Sequence, residues 1–159
     1  MSSDSKFEAR GSKVEGLKAS FRAMCLSCTV LFGLWLVSCS QGDPKFQQYF
    51  VEGQQLYLKH CANCHQKDGT GLGRVYPPLA SSDFMEVHFD EIACLIKKGR
   101  RGVITVNGND YVQAMPGVVS LTELEIAEIS TYIYNSWGHK RGLIDAKQVS
   151  QSLQPCLAN

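Results

Sequence analysis

The sequence predicts an all-α fold class, with three to four helices packed in one domain at residues 45–138. Apolar side chains recur at helical spacing in separate segments, and the last of these segments opens with a helix-capping signal. A chain of 159 residues has room for one domain with one core. We expect a leader before this domain and a C-terminal tail at 139–159.

The first helix is predicted at residues 45–59. Gly53 lies inside it, where glycine lowers the helix propensity. We therefore expect another element to pack closely against the helix at Gly53. The other residues at helical spacing are Phe46, Tyr49, Phe50, Leu56 and Tyr57.

The next helix is predicted at residues 84–98. We expect Asp83 or Asp90 to cap its start and Gly99 to end it. Two lysines in its last turn favour the negative end of the helix dipole. Its predicted inward-facing residues are Ile92, Leu95 and Ile96.

A small hairpin and a final helix complete the predicted domain. Asn107-Gly108 is a turn signal between two short apolar runs, which predicts the hairpin. Thr122 and Glu125 have the spacing of a capping box, so the final helix is expected to begin there. Its predicted inward-facing residues are Ile126, Ile129, Ile133 and Trp137.

Residues 1–38 are predicted to be a lipoprotein signal peptide. Residues 23–38 form a run of sixteen residues without a charge, which is short for a membrane-spanning helix and suits the apolar region of a secretory signal. The run leads into LVSC at residues 36–39, which resembles the bacterial lipobox. We expect Cys39 to carry diacylglycerol and residues 39–44 to form a short tether, the alternative being an uncleaved N-terminal anchor.

Either reading places the chain on the periplasmic side of the cell envelope, attached to a membrane. Ser40 after the lipid cysteine, rather than aspartate, favours the outer membrane by analogy with lipoprotein sorting. Without residues 1–38 the chain keeps 11 basic and 12 acidic residues, a formal charge of −1. This near-neutral balance does not indicate a nucleic acid as partner.

The chain has seven cysteines, which fall into groups by position. Cys25 and Cys28 lie in the leader and are expected to be removed with it. Cys94 and Cys156 either pair in an oxidising compartment or remain two buried thiols, since their spacing does not decide the distance between them.

The remaining two thiols lie in the motif Cys61-Ala-Asn-Cys64-His65. A dithiol redox site uses this cysteine spacing but does not need the histidine. A zinc site needs a second pair of ligands, and the later histidines and cysteines have no paired spacing. The third chemistry is covalent haem, in which two thiols on one helical turn add to the vinyl groups and the adjacent histidine binds the iron. An exported location agrees with this third reading.

On this motif and three further segments, the chain resembles the class I (monohaem) c-type cytochromes over about residues 46–138. Gly53, Tyr57 and Cys61 fall four apart, as in the family's helix crossing. The other segments are KDGTGLGR with YPPLA, ITVNGNDYVQAMPG, and LTELEIAEISTYIYNSWG. The resemblance implies the cytochrome c fold around one haem c, with thioethers from Cys61 and Cys64 and with His65 as an iron ligand.

The second iron ligand is expected to be Met115. Within residues 39–159 the thioether donors are Met85 and Met115, and Met115 is followed by Pro116, which fixes the backbone beside it. The family's distal ligand also lies in a Met-Pro step before the last helix, so the resemblance implies Met115, and Met85 is expected to pack. The family orients its proximal histidine with a proline carbonyl, for which Pro77 matches best and Pro78 is a rival.

The remaining polar groups carry weaker expectations. Three histidines remain: His60 is expected to be a solvated helix residue, and His88 and His139 are expected to be structural or exposed. Arg100 and Arg101 belong either to a solvated helix end or to a site that neutralises a haem propionate or docks an acidic redox partner. Tyr111 and Trp137 either reach the propionates or simply pack.

The predicted function is one-electron transfer, because an iron with two protein ligands has no open position for a substrate. We expect a membrane-anchored carrier, not itself an enzyme, between a dehydrogenase or quinol-oxidising complex and a terminal reductase or oxidase. One alternative is a cytochrome c subunit of a larger oxidoreductase, docked through residues 134–159. Another is a haem peroxidase or gas-binding protein, in which Met115 leaves the iron.

Overall fold

A computed structural model of the chain describes residues 42–158. The leader at 1–38, the proposed lipid site Cys39 and the next two residues of the 39–44 tether therefore lie outside the described residues. Within 42–158, the helices all lack the length and apolar character that crossing a bilayer requires.

The described residues form six helices and four short strands. The helices are α1 Pro44–His60, α2 Ala62–His65, α3 Asp83–Val87, α4 Phe89–Lys98, α5 Glu123–Ile133 and α6 Ala146–Leu157. The strands are β1 Gly99–Arg100, β2 Ile104–Val106, β3 Asn109–Tyr111 and β4 Met115–Pro116. β1 pairs antiparallel with β4, and β2 pairs antiparallel with β3. The predicted all-α class with a small hairpin is confirmed.

Helices α1 and α5 cross closely at Gly53, as predicted. A Cβ atom at this glycine would meet the backbone carbonyl of Glu128 and would lie 3.0 Å from Cβ of Tyr132. The adjacent aromatic rings fill the crossing, with Tyr57 fully buried and its ring centroid 5.4 Å from that of Tyr132. Glycine is therefore required here because the two helix backbones lie too close for a side chain. The close packing compensates the poor helix propensity of glycine.

The helix predicted at 84–98 is broken in two at His88, whose backbone leaves the helical conformation. Its predicted caps are wrong: neither Asp83 nor Asp90 caps a helix in the structure. The Ser82 side chain caps α3 by accepting from the backbone N–H three residues on. Asp83 instead accepts a 2.7 Å hydrogen bond from a backbone N–H of the hairpin turn, a tertiary contact that competes with local capping.

Three local signals are confirmed. Gly99 ends α4 with a φ of 76°, in the left-handed region that favours glycine. Asn107 and Gly108 form the turn between β2 and β3, both with positive φ. Thr122 and Glu125 form a reciprocal capping box at the start of α5.

The segment expected to be a C-terminal tail packs on the core throughout most of its length. Asp145 caps α6, and Ile144, Val149 and Leu153 are buried in the same cluster as the helices around them. A disulfide between Cys94 and Cys156 joins α4 to α6. Residues 139–158 are thus part of the domain that begins at α1, because their apolar face is covered by α4 and α5.

Candidate haem site

The two motif thiols lie on one short helical turn. α1 ends at His60 with Cys61 as its C-cap, and α2 follows at once. The backbone N–H groups of Cys64 and His65 both donate to the Cys61 carbonyl, at 3.1 and 3.0 Å. Neither thiol is in a disulfide. This turn brings Cys61, Cys64 and His65 to the wall of one cavity.

Two cavities share a common wall and together form one cleft between the helices and the hairpin. About 820 and 630 Å³ of space free of protein atoms lies within them, part of it open to solvent. Seven residues line both of them: Cys61, His65, Pro77, Leu95, Ile96, Ile104 and Met115. The structure therefore brings the motif residues and Met115, fifty positions later, to one largely apolar cleft that suits a flat apolar group.

His65 is held by the carbonyl predicted for it. Its Nδ1 lies 3.0 Å from the carbonyl oxygen of Pro77, so Nδ1–H donates and Nε2 is left with its lone pair. Pro78 lines the second cavity without accepting from this ring. Burial lowers the pKa of His65, and the hydrogen bond to Pro77 only partly opposes that shift. Burial therefore favours the neutral imidazole, the form that binds a metal, and the hydrogen bond to Pro77 orients it.

The backbone of Met115 is held by β1. Arg100 pairs with Met115, and Gly99 with Pro116. The two backbone segments lie very close together. A Cβ at Gly99 would meet the Met115 carbonyl, and a Cβ at Gly117 would meet the Lys98 carbonyl carbon. This approach of two backbones sets where the Met115 side chain enters the cleft.

Met85 belongs to the second cavity but not to the first. Its side chain is fully buried and lines the second cavity. Its carbonyl accepts a 2.6 Å hydrogen bond from the Tyr134 hydroxyl, which ties α3 to the end of α5.

Comparison with known proteins shows the family to which this chain belongs. The family model described as cytochrome c matches residues 50–137, more than half of the chain. This chain belongs to the cytochrome c family. The cofactor of this family is haem c, which is attached covalently.

Named relatives of this cytochrome fall into two groups. It is 33% identical over 105 residues to the cytochrome c subunit of alcohol dehydrogenase (quinone) from Gluconacetobacter polyoxogenes, covering 64% of this chain and 22% of that protein. It is 32% identical over 104 residues to cytochrome c-552 from Thermus thermophilus, covering 62% of this chain and 73% of that protein. The cytochrome therefore spans about a fifth of the length of the dehydrogenase subunit and most of the length of cytochrome c-552.

The thiol chemistry of the cytochrome differs from that of a dithiol redox site. Burial raises the pKa of Cys61 to about 11, and the charge of Cys64 adds to the shift. Redox-active C-x-x-C pairs instead have a lowered thiol pKa. Within residues 42–158 no three His, Cys, Asp or Glu side chains are gathered as a metal-binding group, which a zinc site would need. The raised pKa of Cys61 thus argues against a dithiol redox site.

Arg100 provides an independent test of the fit of haem. Its Nε is buried and has no hydrogen-bond partner among the described residues, although the side chain lines the first cavity. Its Nη1 lies 3.5 Å from a carboxylate oxygen of Glu91, which leaves Nε–H free. A buried guanidinium N–H without an acceptor is costly, and a carboxylate on a group in the cleft would satisfy it. Haem carries such carboxylates, so the residues present fit this cofactor.

The other polar residues considered from the sequence lie away from the cleft or bond elsewhere. Arg101 is exposed. Tyr111 and Trp137 line neither cavity, and Trp137 packs over Gly69. The geometry therefore favours packing, and not contact with haem propionates, for these two aromatic residues.

The spare histidines have distinct surroundings. His60 was expected to be a solvated helix residue, but it lines the first cavity. His88 lies 3.0 Å from Glu91. His139 is buried, with Nδ1 2.8 Å from a Glu86 oxygen and Nε2 2.9 Å from the carbonyl of Leu79, so both ring nitrogens are used in structural contacts.

Proposed function

We propose that this cytochrome is a membrane-anchored one-electron carrier in which Cys61 and Cys64 bind haem through thioethers and His65 and Met115 bind its iron. The observation that carries the proposal is the shared cleft, which both thiols, the oriented imidazole of His65 and the Met115 side chain all line. The chain separates these residues by up to fifty-four positions, so their meeting is a property of the fold.

Each side chain has a defined role in this proposal. Haem supplies the one-electron iron couple when it is bound. The carbonyl of Pro77 orients His65 and keeps its Nε2 lone pair available. A thioether from Met115 favours the reduced iron relative to a second imidazole and so raises the reduction potential. If His65 and Met115 both held the iron, no position would be left for a substrate, and the chain would act as a carrier and not as an enzyme.

The ligand assignment is tested on the purified holoprotein. Met115→Ala is expected to abolish the weak near-infrared band of methionine bound to ferric iron, while Met85→Leu, a change of similar volume in the core, keeps it. Survival of the band in Met115→Ala would contradict the assignment. Covalent attachment is tested separately, because acidified acetone should leave the pigment on the wild-type protein and extract it from Cys61→Ser/Cys64→Ser.

The anchoring part of the proposal concerns Cys39. Helix α1 begins at Pro44, five residues after Cys39, so a lipid at this cysteine would hold the domain close to the bilayer. Two or more acyl chains are enough for stable anchoring. Cys39→Ser is expected to move the haem protein from the membrane fraction to the soluble fraction. Fractionation of wild-type cells then tests whether Ser40 directs the protein to the outer membrane.

We propose that its electron donor is a dehydrogenase or quinol-oxidising complex and its acceptor a terminal reductase or oxidase. The dehydrogenase part is supported by the similarity to a cytochrome c subunit of alcohol dehydrogenase (quinone). The same similarity favours a second candidate, in which this chain is itself a subunit of a larger oxidoreductase. Co-purification of the solubilised, tagged chain with a quinone-dependent enzyme at constant stoichiometry supports the subunit, whereas purification of the cytochrome alone supports the carrier.

A further inference from the structure

A lysine at the end of α4 binds the segment that follows Met115. Lys97 Nζ donates to the carbonyl of Val119 at 2.7 Å and to that of Leu121 at 2.5 Å. Both carbonyls belong to residues 115–121, here called the distal segment, which connects β4 to the capping box of α5.

The distal segment has backbone ties to the same helix. The Val118 N–H donates to the Ile96 carbonyl at 2.9 Å, and β4 pairs with β1 directly after α4. Gly117 lies so near the backbone of α4 that a Cβ there would be 2.7 Å from the Lys97 carbonyl oxygen. Lys97 adds a charge-assisted side-chain tie further along the segment than these backbone contacts.

The position of this ammonium is not explained by helix electrostatics. A lysine in the last turn of α4 would ordinarily interact with the final carbonyls of its own helix. Lys97 instead reaches across to carbonyls just before the start of α5, where the helix dipole disfavours a cation. Lys98, the next residue, is exposed and has no hydrogen bond or ion pair among those found in residues 42–158. The two lysines therefore share a charge and a helix end but differ in contact with the distal segment.

We propose that Lys97 is a positioning residue that holds the distal segment against α4 and thereby limits the displacement of Met115 by small external ligands. The proposal rests on the function proposed above, in which Met115 occupies an axial position. A small ligand can take that position only after the Met115 side chain moves. Because its backbone is paired with β1 and its segment is bound by Lys97, any movement of Met115 that lifts the segment must break both ammonium hydrogen bonds.

The experiment measures the entry of imidazole, a neutral ligand, into the ferric holoprotein by stopped-flow absorbance. At saturating imidazole the observed rate reports the release of Met115. Lys97→Met is expected to raise this limiting rate about tenfold, as the loss of hydrogen bonds from a charged group predicts. Lys97→Arg retains donors for the two carbonyls and is expected to restore most of the wild-type rate. Lys98→Met removes the same charge and is expected to stay within about twofold.

Equal rates in Lys97→Met and Lys98→Met would overturn the proposal, because the effect would then be one of charge alone or absent. Far-UV circular dichroism establishes that each variant is folded. If the wild type lacks the near-infrared methionine band, it is the Met115 assignment that fails, and Lys97 is then judged by amide hydrogen exchange at Val118 and Leu121. Exchange at least fivefold faster in Lys97→Met than in Lys98→Met supports the hold on the segment, and equal exchange overturns it.

Discussion

The crossing of α1 and α5 predicts that Gly53→Ala destabilises the protein, although alanine is the better helix former. Helix propensity alone would stabilise the variant by about 0.5–1 kcal/mol. The added methyl group would meet the Glu128 carbonyl and lie against Cβ of Tyr132. The carbonyl belongs to the α5 backbone and cannot rotate away, so the two helices must separate. Overpacking of this kind costs about 1–3 kcal/mol.

The severity of the overlap places the cost in the upper part of that range, so we expect a net loss of about 1–2 kcal/mol. For a domain of this size the midpoint of thermal unfolding should fall by roughly 4–8 °C. Thermal unfolding of the holoprotein is followed by far-UV circular dichroism and by Soret absorbance. Gln55→Ala, on the exposed face of α1, is the matched control and should change stability by less than about 0.5 kcal/mol.

The result that would refute this reasoning is a Gly53→Ala variant as stable as the wild type or more stable. Helix propensity would then dominate, and α1 and α5 would not approach as closely as the structure shows.

Three further predictions concern other contacts. Cys94→Ser/Cys156→Ser removes a disulfide that spans 62 positions and is expected to lower the free energy of unfolding by about 2–4 kcal/mol, measured by urea titration against the oxidised wild type. Burial, followed by the neighbouring carboxylates, raises the pKa of Glu128, so the folded state holds this proton more tightly than the unfolded state and the wild type loses stability as pH rises. The urea midpoint of Glu128→Gln should therefore match that of the wild type at about pH 4 and exceed it at about pH 7. A difference between the two midpoints that shrinks as the pH rises would contradict the raised pKa of Glu128. Thr122→Ala removes the cap of α5 and is expected to cost about 1 kcal/mol, whereas an unchanged unfolding midpoint would show that Glu125 caps the helix unaided.

The elements that could be predicted are those defined by neighbours in sequence. The helix predicted at 45–59 is observed as Pro44–His60, and the Asn107-Gly108 turn and the Thr122 capping box are in place. Each depends on hydrogen bonds or side-chain spacing within a few residues, which the sequence displays directly.

The errors arise where a distant residue competes with a local preference. Asp83 has the chemistry of a cap, but its carboxylate is recruited by the hairpin turn 24 positions away, and Ser82 caps the helix in its place. Helix α6 also carries a local signal that was overlooked, since Asp145 and Gln148 form a capping box ahead of buried Val149. Its packing against α4 still required the tertiary structure.

The C-x-x-C-H motif indicates the kind of cofactor, because two thiols and an imidazole on one turn are a local arrangement visible in five consecutive residues. The remainder of the site depends on how α1, α4 and the hairpin close around a cleft. That closure brings Met115 to the wall that His65 occupies, leaves the Arg100 Nε without an acceptor and places the Lys97 ammonium on the distal segment. These are contacts between residues far apart in the chain, whose distances follow from backbone packing at Gly53, Gly99 and Gly117 and not from spacing in the sequence.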